Sequence, residues 1–261
     1  MTLRIIYEPR GRALEYAPLA VSLYRGCSHG CTYCFAPDST RTSIEKFQKP
    51  YYRKDSLFLL KQDCKQMFKA GDQREVLVSF TTDPYQPLNE GIPVTRRAIE
   101  IFRRYGIHFT VLTKGGLRST CNFDLMASRP DLCRYGTTLT FDNPEDSRYF
   151  EPNAALPHER ITALTCAHDR GIRTWVSLEP VIYPEQTIHL IQVTLNHRDK
   201  CPGIVDEYRI GKINHVECNI TDQEWRQFVH DAKALLDEHH CRYIFKRDLQ
   251  PYLKAAGVSH A

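Results

Sequence analysis

Short runs of β-branched and aromatic residues recur along this chain, separated by stretches with helical spacing, and that alternation limits the fold more than any other feature. The runs are 19–24 (LAVSLY), 75–82 (EVLVSFTT), 108–113 (HFTVLT), 135–141 (YGTTLTF), 173–178 (RTWVSL) and 205–213 (VDEYRIGKI), with a short further strand at 242–246. Between them, 56–70 carries Leu57, Leu60, Cys64, Met67 and Phe68 on one helical face. The helix at 95–105 stops at Gly106, the helix at 159–169 closes at Gly171, and a last one covers 222–238. Strands alternating with helices predict a parallel sheet of right-handed βαβ units. Six such units suit an α/β barrel that does not close fully.

The 261 residues fit one barrel domain. No internal repeat, low-complexity tract or Gly/Pro/Ser-rich linker divides them. The expected organisation is an N-terminal extension at 1–18, a barrel core at 19–215, and a helix and short strand at 216–261 completing the same domain. Segment 38–54 has no period and is expected to be an ordered loop. No apolar run approaches the roughly 18 residues of a membrane span, and the N-terminus meets charge and proline within its first ten residues. Neither a signal peptide nor a membrane segment is expected, and the cytoplasm is the predicted compartment. The net charge of +4 permits an anionic partner without requiring one.

Of ten cysteines, three cluster at Cys27, Cys31 and Cys34 in the run LYRGCSHGCTYCF, directly after the first strand. In a cytosolic chain they read as thiols or metal ligands. Three thiolates on one tight loop can ligate three irons of a cubane cluster and leave the fourth iron open, whereas an electron-transfer ferredoxin closes its cluster with a fourth cysteine. The competing reading is zinc, with His29 or a distant cysteine as fourth ligand. Zinc sites usually pair two clips, however, and only one is present here.

Ends of the later strands carry polar residues on the face where α/β barrels place their chemistry. After the second strand come Thr81, Thr82 and Asp83 as oxygen acceptors, although Asp83-Pro84 also reads as a turn. Lys114 follows the third strand, placed to meet a carboxylate. Thr138 and Thr140 lie at the fourth, where β-branched residues are also plain strand formers. Arg160 is a candidate to fork onto a carboxylate or to lock Glu151. Ser177 and Glu179 share one face of the fifth strand, and Gly211 bares its backbone in the sixth. Cys241 is a candidate hydrogen-atom donor, though a small buried residue is the simpler account. Lys246 and Arg247, with Arg25, Lys46, Lys49, Arg53 and Lys54, form a candidate phosphate-binding rim.

The C-x3-C-x2-C spacing with Tyr33 before the last cysteine, set after a first strand and before a run of βα units, resembles the radical S-adenosylmethionine superfamily. Thr82-Asp83-Pro84-Tyr85-Gln86, Thr113-Lys114, Glu151-Pro152 followed by Arg160, and Ser177-Leu178-Glu179-Pro180 narrow it. They resemble the branch related to spore photoproduct lyase, over roughly residues 20–215. The resemblance implies a partial (β/α)6 TIM-like barrel with a [4Fe–4S] cluster on the three cysteines. S-adenosylmethionine would be chelated to the open iron and cleaved reductively to a 5′-deoxyadenosyl radical that takes hydrogen from a substrate. Lys114 and Thr138 would meet the cofactor carboxylate; the superfamily's Gly-Gly-Glu amine motif is absent. The implied partners are an electron donor such as flavodoxin or ferredoxin and a nucleic-acid lesion or nucleotide. A peptide or small-molecule substrate, and a non-catalytic metal-binding protein, remain the alternatives.

Overall fold

The computed structural model describes residues 3–91, 93–196, 203–213 and 219–255. Its strands are β1 (Ile6–Tyr7), β2 (Leu19–Val21), β3 (Tyr24–Arg25), β4 (Tyr51–Tyr52), β5 (Val76–Val78), β6 (Phe109–Thr113), β7 (Cys133–Thr138), β8 (Arg173–Val181), β9 (Glu207–Lys212) and β10 (Arg242–Phe245). Eight of them form one sheet in the order β1-β2-β5-β6-β7-β8-β9-β10. From β2 to β10 every neighbouring pair is parallel, and β1 joins β2 antiparallel. This is the predicted α/β barrel. With β1 and β10 at opposite ends of the order, no strand pairing among the described residues closes it.

The strands are buried on both faces because helices cover the outside and side chains fill the inside. Helix Val94–Tyr105 lays Ala98, Ile99 and Phe102 into the core, where Phe102 stacks on Phe109 with centroids 5.1 Å apart. It ends at Gly106 in the left-handed conformation (φ 64°), as the sequence indicated. Helices Ser56–Ala70, Pro157–His168 and Asp222–Glu238 fall where their periodicity places them.

Inside the barrel, Trp175 spans the middle. Its Nε1 donates to Thr110 Oγ1 at 2.9 Å, and Arg209 lies 4.9 Å from its ring centroid. Gly136 makes room for it: a Cβ there would sit 2.2 Å from the indole. At the strand starts below Trp175, Arg134 donates to Glu75 at 2.9 Å, and Glu207 accepts from Arg134 at 3.4 Å and from Arg209 at 2.6 Å.

Several expectations change. The first strand ends at Val21, not Tyr24, because Tyr24 and Arg25 pair instead with Tyr51 and Tyr52. The fourth begins at Cys133 and ends at Thr138, whose pairing with Ser177 is the last of its ladder to β8. Segment 38–54 is built rather than aperiodic, with helix Ile44–Phe47 and β4 within it. The N-terminal residues are part of the barrel wall: Asp63 accepts the N–H groups of Arg4, Ile5 and Ile6, and Ile5 and Ile6 are buried. Among the described residues no helix is long and apolar enough to cross a membrane.

Candidate active site

The loop after β3 is pinned from three sides. Cys27 N–H donates to Phe47 O at 2.8 Å, Thr32 N–H to Phe150 O at 2.9 Å, and His29 O accepts from Asn153 N at 3.0 Å. Gly26 at φ +76° permits the close approach, since a Cβ would lie 2.3 Å from Phe47 O. So held, Cys27, Cys31 and Cys34 line one cavity of about 510 Å³ at the C-terminal ends of the strands.

All three are free thiols. Burial pushes Cys31 up to about 12, although Lys114 pulls the other way; Cys27 is raised by burial and by Asp83, and Cys34 by burial. Such thiols become thiolates only when a cation compensates them, as a ligated metal would. His29 does not complete a zinc set. Arg118 donates to its Nε2 at 3.2 Å, so the proton sits on Nδ1, 3.6 Å from Asp83. Burial, the largest influence, pushes His29 down to about 4 and keeps it neutral.

Other candidates divide clearly. Thr81, Thr82, Asp83, Lys114, Thr138 and Glu179 line the cavity with the cysteines. Thr82 Oγ1 is buried without a hydrogen-bond partner among the described residues, and so is Ser79 Oγ, a cavity residue the sequence did not single out. Ser79 adopts φ 68°, an unusual left-handed conformation for a non-glycine residue, and such strain concentrates at functional sites. Lys114 Nζ stands 3.7 Å from Glu151 and 5.4 Å from the Tyr33 ring centroid. Burial works against its charge, yet Cys31 and Glu151 outweigh burial and raise it.

Asp83 is corrected as a free acceptor. Its oxygens already take Tyr85 N–H, Thr113 Oγ1–H and Lys114 N–H, each at 2.7 Å, so it ties the end of β5 to that of β6. Arg160 is corrected as a cofactor contact: wholly buried, it donates to Ala155 O at 2.7 Å, to Thr138 O at 3.0 Å and to Glu151. Its role is the other one foreseen, locking Glu151, which also accepts from Tyr33. Thr140 meets Tyr33 at 3.3 Å and does not line the cavity. Ser177 faces Tyr16 at 3.3 Å. Gly211 does not present backbone to an adenine, because Glu179 and the Lys246 stem pack over it. Cys241 precedes β10 and so sits at the base of the barrel, the wrong end for donating hydrogen into the mouth. Asn214 and His215 lie outside the described residues.

Tyr16, which the sequence did not single out, and Lys246, foreseen only in a phosphate-binding rim, complete the far wall. Tyr16 and Lys246 both donate to Glu179, and the Lys246 ammonium lies over the Tyr16 ring. Tyr16 arrives on the 3-10 turn Gly11–Glu15, whose Glu15 also accepts Arg247 N–H at 3.0 Å across the open seam. Tyr16, Phe80 and Phe35 form an aromatic series with centroids 5.8 and 5.6 Å apart, and all three line the cavity.

The fold and site together define an open α/β barrel with a three-cysteine loop over a cavity at its strand ends. The family model of the Radical SAM superfamily matches residues 21–197, and the chain belongs to that superfamily. The free, half-buried thiol triplet fits the [4Fe–4S] cluster that binds S-adenosylmethionine in this superfamily.

A curated relative, an uncharacterised protein of Mycobacterium tuberculosis (strain ATCC 25618 / H37Rv), is 26% identical over 182 residues, 67% of this chain and 52% of the relative. An uncharacterised protein of Acidianus two-tailed virus is 24% identical over 174 residues, 64% of this chain and 57% of the relative. The chain thus spans about half the length of the curated relatives it matches. Among solved structures, spore photoproduct lyase complexed with dinucleoside spore photoproduct superimposes with a TM-score of 0.71 at 13% identity, over 94% of this chain and 80% of that one. Streptococcus suis SuiB bound to S-adenosylmethionine gives 0.64 at 10% identity, over 93% and 50%. At these identities both share the fold.

Proposed function

We propose that this chain is a radical S-adenosylmethionine enzyme that takes hydrogen from a nucleic-acid or nucleotide substrate, with a lesion of the spore photoproduct kind as the leading candidate. The observation that carries this reading is the cavity's division. One wall is the cysteine loop, which carries Phe35, and the others offer the aromatic rings of Tyr16 and Phe80 and the exposed cation Arg10. Planar rings for stacking beside a cation for phosphate are the chemistry a nucleotide requires.

Cys27, Cys31 and Cys34 would hold a [4Fe–4S] cluster, which would supply the electron for cleaving S-adenosylmethionine. The chain's own residues bind and orient. Lys114, kept charged by its surroundings, presents an ammonium to a carboxylate, and the unpartnered hydroxyls of Ser79 and Thr82 accept from an amine. Tyr16 and Lys246 fix the Glu179 carboxylate at the substrate end. The nearby fold of spore photoproduct lyase, solved with a dinucleoside photoproduct, adds support for the substrate class.

The test is an anaerobically reconstituted protein given S-adenosylmethionine, reductant and deuterated candidates: a dinucleoside photoproduct, an undamaged dinucleotide and a peptide. Deuterium in 5′-deoxyadenosine from a nucleotide supports the proposal. Label arriving only from the peptide would move the enzyme among those that modify peptides.

A further inference from the structure

Strands β8 and β9 stay in register as far as Leu178 opposite Ile210, and the next pairing is Val181 opposite Lys212. Two residues of β8, Glu179 and Pro180, therefore stand against the single residue Gly211 of β9, which makes a bulge. Bulges re-aim side chains, and Glu179 at this one lines the cavity. Gly211 gives the carboxylate its room: a Cβ there would lie 2.9 Å from Glu179 Oε1 and 3.0 Å from the Lys246 stem.

The two oxygens of that carboxylate are used differently. Oε2 accepts from both Tyr16 and Lys246. Lys246 is buried, with its ammonium 3.3 Å from the Tyr16 ring centroid. Burial, and then the charge of Glu179, hold the Tyr16 phenol well above its usual range, so it keeps its proton and stays a donor. Oε1 takes no hydrogen bond among the described residues, and the side chain keeps 15% of its surface open where it lines the cavity.

An oxygen so placed selects its partner by charge. Lys246 already neutralises the carboxylate, and its ammonium repels a second cation. A phosphate is repelled by the carboxylate itself. A neutral donor meets neither objection. The aromatic series Tyr16, Phe80 and Phe35 begins at the residue that holds Oε2, and it offers ring faces to a flat ligand. We propose that Glu179 Oε1 is a specificity-determining acceptor that reads an N–H on the edge of a planar nucleobase, with Tyr16 and Lys246 as the positioning residues that aim it. The proposal rests on the nucleotide reading of the cavity and narrows it to bases that present an N–H there.

The experiment measures binding of two dinucleotides to the reconstituted holoenzyme at saturating S-adenosylmethionine. One is thymidylyl-thymidine, whose rings carry an N3–H; the other is its N3-methylated form, which has no ring donor. Loss of a hydrogen bond to a charged group is expected to weaken wild-type binding about tenfold to a hundredfold on methylation. Glu179→Met with Lys246→Met removes the acceptor together with its counter-charge, so neither charge is stranded. In that variant the two dinucleotides are expected to bind within about twofold of each other. Glu179→Gln keeps a neutral acceptor of about half the strength, so its ratio is expected at about threefold to tenfold. A wild-type ratio near one overturns the proposal, and so does a full ratio retained in both variants, which places the reading of the N–H elsewhere. Loss of S-adenosylmethionine affinity in the variants with the ratio intact gives the carboxylate to the cofactor and overturns it too. Should neither dinucleotide bind the iron-loaded wild type, the nucleotide reading itself fails, and this proposal with it.

Discussion

Two charged networks occupy opposite ends of the barrel interior, and they are built differently. At the mouth, Glu151 and Arg160 are wholly buried, with Lys114 and Tyr33 completing the set. At the base, Glu75, Arg134, Glu207 and Arg209 keep 8–21% of their side-chain surface exposed. Water reaches the base and shares in solvating its charges, so that network is tolerant. The Glu151–Arg160 pair at the mouth has no such reserve: each of its charges depends on the other, and Tyr33 of the cysteine loop donates to Glu151. A network shielded from water holds geometry more rigidly and fails more completely.

The largest expected effect lies at the mouth. Cys31→Ala should abolish 5′-deoxyadenosine formation and lower iron content, while its folding midpoint in urea stays near wild type; retained four-iron loading would break the assignment of the triplet. Glu151→Ala, which strands Arg160 in the interior, should cost about 3–5 kcal/mol in urea unfolding. A cost no greater than that of a base substitution would erase the contrast. Gly136→Ala drives a methyl into Trp175 between the two ends and should cost about 1–3 kcal/mol, read in the same experiment.

The smallest effect is expected at the base, where Glu207→Gln should cost about 1 kcal/mol. Its pH dependence sharpens the point. Burial alone would raise Glu207, but Arg209 and then Arg134 outweigh it and hold the carboxyl below its ordinary value. A depressed carboxylate stabilises the fold above the unfolded-state pKa, about 4.3 for Glu, and that contribution is lost as pH falls through the folded value. Acid unfolding below about pH 4 should therefore be shallower in Glu207→Gln than in wild type. Identical acid limbs would remove Glu207 from the account.

The alternation of strands and helices was legible because each period is local, and so was the cysteine triplet, whose ligands share one loop. What sequence could not disclose depended on distant partners. Asp83 looked like a free acceptor because Thr113 and Lys114, which consume its oxygens, come from the next strand. Cys241 was misplaced because chemistry depends on which end of a strand a residue occupies, and β10 starts just after it. Tyr16 lay in a segment broken by proline and charge that reads as an extension, and nothing local shows that it meets Glu179 and Lys246.

That last junction bears on how the enzyme is assembled in time. Glu15 and Arg247 are 232 positions apart yet touch across the seam, and the cavity's far wall is made from the segments beside them. On a ribosome, the cysteine loop emerges early, but the compartment it faces has no far side until residues near 246 have followed. Contacts of such long sequence separation form late. The enclosure is complete only once β10 has joined, so a translation intermediate stalled before it would carry the three cysteines without the wall that shields them.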